Sequence, residues 1–203
     1  MREPPTLIAA ALTAWCFVAS FPFAALAATE QSPGVFDCGG GTGHLSALNV
    51  ALFLPDGKTV VSSGWDDRII LWEAESGRFR RCVNARMSVL GADLSPDGQK
   101  ILVGGRAGGR DEPIRMWDME SGRELAVLDG HKGPVSAVLF LPDGKRAISS
   151  GWDKTIRLWD LTRNKQSAVW TGHKDNISAL ALSPDGTKAV SGSWDGAIMV
   201  WDV

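Results

Sequence analysis

Four copies of one short turn sequence frame this chain. Leu54-Pro55-Asp56-Gly57, Ser95-Pro96-Asp97-Gly98, Leu141-Pro142-Asp143-Gly144 and Ser183-Pro184-Asp185-Gly186 follow one another at intervals of 41, 46 and 42 residues. A second mark comes after each: Leu71-Trp72-Glu73, Met116-Trp117-Asp118, Leu158-Trp159-Asp160 and Val200-Trp201-Asp202. A third mark, Gly-His, precedes three of them at Gly43-His44, Gly130-His131 and Gly172-His173. Such self-similarity means that each block folds into one small unit. A unit of that size cannot bury both its faces without a neighbour, so the blocks must stack.

The chemistry within a block says what the unit is. In the third, residues 135–140 form a short apolar run that enters Pro142-Asp143-Gly144. Proline presets the first turn position, Asp tolerates the second, and Gly takes the positive φ that exits into the next strand. Residues 146–150 then read as a second strand. Asp153 marks a tight turn, and 155–159 alternates in and out as a third. A more variable outer strand, 166–170, completes the set.

A Gly-His start and a Trp-Asp end, repeated at this period, resemble the WD-repeat family of β-propellers, of an exported, bacterial type. The resemblance covers residues 34–203 and implies an all-β chain of four repeats, at about 43–82, 83–129, 130–171 and 172–203. Each repeat would be a four-stranded antiparallel sheet, or blade. It also implies a hydrogen-bonded tetrad in each blade. His44, Ser62, Asp66 and Trp72 share their spacing with His131, Ser149, Asp153 and Trp159, and with His173, Ser191, Asp195 and Trp201. The indole N–H can donate to the Ser hydroxyl, Ser to the imidazole, and the imidazole to the carboxylate. The second repeat departs from this pattern: Ala85 and Val103 stand where His and Ser belong, and residues 106–110 belong to an insertion. Asp111 and Trp117 keep their places, so this blade is expected to form through packing alone and to be the softest.

Ser, His and Asp in one network invite comparison with a catalytic triad. Two facts argue against it. The set occurs three times at the same offsets, and it uses all three histidines of the chain. No enzyme activity, cofactor or metal site is therefore expected. The glycine-rich stretches 39–43 and 104–110 read as loops, since no phosphate-loop lysine accompanies them. With a net charge of -2, and with Arg78-Phe79-Arg80-Arg81 as the one dense basic run, the chain does not look like a nucleic-acid binder. That run reads as a solvated edge strand.

Nine tryptophans against no tyrosine leave some unassigned by the tetrads. Trp65, Trp152 and Trp194 each precede the turn Asp, a position that in the family lies on the top face. Arg110 takes the same place in the second repeat, and Asn49, Ser136 and Ser178 are expected near it. Large aromatics displayed there would anchor a partner; alternatively, each ring lies flat on the neighbouring blade and seals the core. The expected function is a non-catalytic protein-binding scaffold, its protein partners unidentified. The alternative is a glycan-binding module that stacks sugars on the rim tryptophans.

The first 27 residues read as a signal peptide, with Arg2, an uncharged apolar stretch from Leu7 to Ala28 and Ala25-Leu26-Ala27 as a cleavage pattern. An uncleaved membrane anchor is the other reading, because about 20 apolar residues also span a bilayer. Residues 28–33 would be a linker. Either way, the repeats would be secreted, periplasmic or membrane-anchored. Cys38 and Cys82 are expected as free or buried thiols, on outer strands of different blades. A strand near 35–38 could complete the last blade. Four blades are at the bottom of the range of roughly four to eight, which leaves three arrangements. Two chains pair into an eight-bladed ring, one chain closes as a small strained ring, or the ends bind other repeats.

Overall fold

The computed structural model describes residues 43–109 and 112–203. The expected leader, the linker, the strand near 35–38, Cys16, Cys38, Arg110 and Asp111 lie outside them. The described residues form strands and turns in four antiparallel sheets. Blade 1 holds β1 (Leu48–Phe53), β2 (Thr59–Gly64), β3 (Arg68–Glu73) and β4 (Phe79–Asn84) in that order. Blade 2 holds β5 (Ser88–Leu94), β6 (Lys100–Arg106), β7 (Ile114–Asp118) and β8 (Glu124–Leu128). Blade 3 holds β9 (Val135–Phe140), β10 (Arg146–Gly151), β11 (Thr155–Asp160) and β12 (Lys165–Thr171). Blade 4 has three strands among the described residues, β13 (Ile177–Leu182), β14 (Lys188–Ser193) and β15 (Ile198–Asp202), rather than four.

The Pro-Asp-Gly turns form for local reasons. Gly57, Gly98, Gly144 and Gly186 all have φ between 63° and 70°. The N–H of each donates to the residue three before it, as Gly57 does to Leu54 O at 2.9 Å. The turn Asp then accepts the amides that open the next strand; Asp143 takes those of Lys145 and Arg146 at 2.8 and 2.9 Å. Each turn therefore satisfies its own backbone. The register is fixed with it, Ile148 pairing with Leu139 on one side and Leu158 on the other.

Three apolar seams join consecutive blades. Val61, Ile69 and Leu71 pack on Val89, Ile101 and Trp117. Leu102, Ile114 and Met116 pack on Val138, Phe140 and Trp159. Ile148, Ile156 and Leu158 pack on Leu180, Ala189 and Trp201. Among the described residues these clusters link blade to blade, with none between the fourth and the first. The outer faces of both end blades are uncovered, with Leu48 and Phe53 exposed on one and Ile198 and Val200 on the other. Among the described residues the four blades form an open arc.

Gly104 and Gly105 are part of β6 and not of a loop, which corrects the sequence reading. A Cβ on Gly105 would lie 2.0 Å from Ser88 O, and one on Gly64, its counterpart in blade 1, 2.1 Å from Ala47 O. The inner strand crosses so close there that only glycine fits. The basic run falls on the outer strand β4, where Arg80 donates to Thr59 Oγ1 at 2.9 Å and Arg81 to the carbonyl of Met119 at 3.2 Å.

Candidate functional site

The inner turns of the blades position two sets of side chains, one buried and one displayed. In the buried set, Trp159 Nε1–H donates to Ser149 Oγ at 2.8 Å, Ser149 lies 2.8 Å from His131 Nε2, and His131 Nδ1 lies 2.9 Å from Asp153 Oδ2. Blade 1 repeats the chain through Trp72, Ser62, His44 and Asp66 at 2.6, 2.7 and 2.8 Å. Blade 4 does so through Trp201, Ser191, His173 and Asp195 at 2.8, 2.8 and 3.1 Å. Each Asp also accepts a backbone N–H from the residue after its histidine: Leu45, Lys132 or Lys174. This places the imidazole proton on Nδ1 and leaves Nε2 to accept from Ser.

Electrostatics fix the charge states. Burial holds the His131 pKa below the usual range, against the pull of Asp153. Burial by itself would raise Asp153, but bonds from His131, Lys132 N–H and Thr155 outweigh it and leave the carboxyl well below its ordinary value. The amides of Lys174 and Ala197, then His173, do the same for Asp195. The arrangement cannot act as a triad. Ser149 and Ser191 are buried, and each hydroxyl oxygen already accepts an indole N–H. A substrate carbonyl has no approach to them. Each link contributes about 1 kcal/mol net.

Blade 2 shows what the network replaces. Val103 pairs with Arg115 in the register where Ser149 pairs with Arg157. Val103 and Ala85 are fully buried, and Trp117 Nε1 is a buried donor without an acceptor. Trp117→Phe is therefore expected to cost about 1–2 kcal/mol less than Trp159→Phe, because only the second strands a buried hydroxyl. Urea midpoints of the two variants would check this. Equal losses would mean the tetrad adds nothing beyond packing.

The displayed set is the tryptophan rim. Trp65, Trp152 and Trp194 each donate a backbone N–H to a carbonyl just before the inner strand: Ala47, Pro134 and Asn176 respectively. Their side chains then differ. Trp65 and Trp194 are 57% and 54% exposed, whereas Trp152 is half-buried and tilted against Trp194 with ring centroids 5.7 Å apart. None is sealed flat into the core. Asn49 is exposed, and Ser136 and Ser178 are half-buried, near the starts of their inner strands. Asn49 Nδ2–H donates to Val89 O at 2.8 Å and Ser136 Oγ–H to Ile177 O at 2.6 Å, each tying its blade to the next. Ser178 has only Gly192 O within its own blade, at 3.5 Å. Polar side chains at this inner-strand position serve the seams.

The WD domain, G-beta repeat family matches residues 38–73, 122–160 and 164–202, more than half of the chain. This chain belongs to the WD-repeat family. The stretch left unmatched contains most of blade 2, where the His and Ser are lost. The WD-repeat chain is 31% identical over 112 residues to the ribosome biogenesis protein WDR12 homolog of Nematostella vectensis, which covers 54% of this chain and 26% of that protein. It is 32% identical over 99 residues to the serine-threonine kinase receptor-associated protein of Dictyostelium discoideum, covering 49% and 32%. Among solved structures it resembles U3-55K with a TM-score of 0.71 and 27% identity, over 79% of this chain and 50% of that one. The chain thus spans a quarter to a third of these relatives and half of the solved chain. These named relatives lend no support to an exported, bacterial type. WD-repeat proteins generally act as protein-interaction scaffolds.

Two residues of this WD-repeat chain carry roles that its sequence did not suggest. Asp93 in β5 stands where Leu52 and Leu139 stand in blades 1 and 3, and it faces the seam with blade 3. Its Oδ2 accepts the Phe140 N–H at 2.7 Å and its Oδ1 the Leu94 N–H at 2.9 Å. Burial raises its pKa to about 6, partly opposed by these two amides. A Leu-for-Asp exchange within the repeat was the available signal. Cys82 in β4 is disulfide-bonded, which overturns the expectation of a free thiol; its partner lies outside the described residues.

Proposed function

We infer that the chain is a non-catalytic, protein-binding scaffold that presents the Trp65, Trp152 and Trp194 face of its blades in an extracytoplasmic compartment. The observation that carries this is the repeated display of indoles. The same backbone bond holds each one at the same corner, two of the three are more than half exposed, and two lie in contact across a blade boundary. Tryptophan anchors protein interfaces because it removes a large apolar area from water at little rotamer cost. A non-catalytic role is supported by the use of all three histidines in hydrogen-bonded structural networks. Export is supported by the apolar N-terminal stretch and by a cysteine held in a disulfide, a bond that persists in oxidising compartments.

The test separates rim from core. Trp65→Ala and Trp194→Ala are expected to leave the thermal midpoint within a few degrees of the parent, since exposed substitutions cost about 0.5 kcal/mol or less. Each is expected to weaken capture of a protein partner from the native compartment at least tenfold. Quenching of tryptophan fluorescence by oligosaccharides, lost in the same variants, would replace the protein reading with glycan binding. Partner capture that survives both substitutions would remove the rim from the function.

A further inference from the structure

The repeat that builds the arc also leaves each end complementary to the other. Ile148, Ile156 and Leu158 form the blade 3 face that covers blade 4. Their counterparts in blade 4 are Val190, Ile198 and Val200, which are 38%, 77% and 69% exposed. At the other end, Val89 and Leu94 of blade 2 lie against blade 1, and their counterparts Leu48 and Phe53 are 51% and 67% exposed. These exposed apolar side chains lie together on the outer faces of the two end blades, and apolar patches exposed in this way mark interaction surfaces.

Two finer contacts repeat in the same register. Asn49 and Ser136 reach across their seams to the carbonyls of Val89 and Ile177. Ser178 is the same position in blade 4, and the carbonyl corresponding to Val89 and Ile177 at the other end is that of Leu48. On the lower side, the turn glycines Gly98, Gly144 and Gly186 face Pro55, Pro96 and Pro142 of the preceding blade. Gly57 faces open space, and Pro184 is the proline left to meet it. Among the described residues, apolar face, polar tie and proline–glycine contact are thus open at both ends and in matching register.

We propose that a second copy of this chain docks head to tail, blade 4 of one protomer on blade 1 of its partner, and that two such seams close an eight-bladed ring. The occupant is a copy because the complement to each end is present at the chain's own opposite end. Four blades cover half of the solved U3-55K chain, and eight remain within the roughly four to eight blades that propellers use. Each seam joins unlike faces, and a two-fold axis relates the two seams. Ser178 would donate to the carbonyl of the partner's Leu48, and the partner's Gly57 would receive Pro184.

Sedimentation equilibrium of the full chain at micromolar concentration is expected to give twice the 21.7 kDa chain mass. Ile198→Asp and Phe53→Asp alter exposed positions and should each give a folded monomer. An equimolar mixture of the two variants is then expected to recover dimers, because one of the two seams in the mixed pair is wild type. Should Ile198→Asp unfold, Val200→Lys tests the same face. A folded wild-type monomer at tens of micromolar overturns the proposal, as does a dimer that ignores both substitutions. A mixture that stays monomeric overturns the head-to-tail pairing, and open-ended polymers overturn the closed ring. In the same register Trp194 of one protomer would lie beside the partner's Trp65, as Trp152 lies beside Trp194 within the chain. This inference therefore rests apart from the proposed function only where partner capture is read for Trp65→Ala and Trp194→Ala variants whose sedimentation mass matches that of the parent.

Discussion

Trp159→Ala is expected to lower the stability of the chain by about 3–5 kcal/mol, the largest loss from any single side chain here. Trp159 is 1% exposed and fills the centre of the seam between blades 2 and 3, among Leu102, Ile114 and Phe140. Its removal opens a cavity in an interface that cannot collapse, because both sheets are held by their own ladders. It also takes the donor from Ser149, whose hydroxyl is fully buried and bonded to His131. Chemical denaturation followed by far-ultraviolet circular dichroism would measure the loss, with Trp194→Ala as the exposed comparison. If the two variants unfold at the same denaturant concentration, Trp159 does not hold the seam and the tetrad has no structural role.

The second large effect is a pH dependence carried by Asp93. Its folded pKa of about 6 lies above the unfolded value of roughly 3.9. Below about pH 4 the carboxyl is protonated in both states and costs nothing. Between about 4 and 6 the folded chain retains a proton that the unfolded chain has released, so stability falls as pH rises. Above about 6 the seam between blades 2 and 3 contains a buried charge at a cost of roughly 3 kcal/mol. Asp93→Asn keeps an oxygen for the Phe140 amide and removes that charge. The variant is expected to be more stable than the parent at pH 7, with the gap closing toward pH 4. His131 acts in the opposite sense: burial depresses its folded pKa, so stability is lost as pH falls below the unfolded value of about 6.5. The difference between variant and parent cancels that term. A gap that stays constant from pH 4 to pH 7 would show that Asp93 does not titrate in the seam.

Much of the fold was legible because its determinants are local. A Pro-Asp-Gly turn closes its own hydrogen bonds within five residues, and strand alternation follows from the period of two. The tetrads were legible for a related reason. Once turns set the register of β9, β10 and β11, the spacing from His131 through Ser149 and Asp153 to Trp159 places all four at one corner. The rim was only half legible. Trp65, Trp152 and Trp194 have the same flanking sequence, yet Trp152 is packed against Trp194 while Trp65 stands apart, because blade 2 has no tryptophan at that corner to meet it.

Asp93, Asn49 and Ser136 escaped for a different reason. Their partners, Phe140, Val89 and Ile177, lie 40 or more residues away in another blade, and nothing in the local pattern marks a side chain as one that crosses a seam.

The sequence by itself determined the unit: four like sheets, their turns, their strand registers and three of their buried networks. Only the tertiary structure decided which faces are covered. Ile156 and Ile198 occupy the same position in the same alternating pattern, and one is fully buried while the other is 77% exposed. Alternation fixes the side of a sheet to which a residue points, but burial requires a second surface there, and the order of blades along the arc determines which faces receive one.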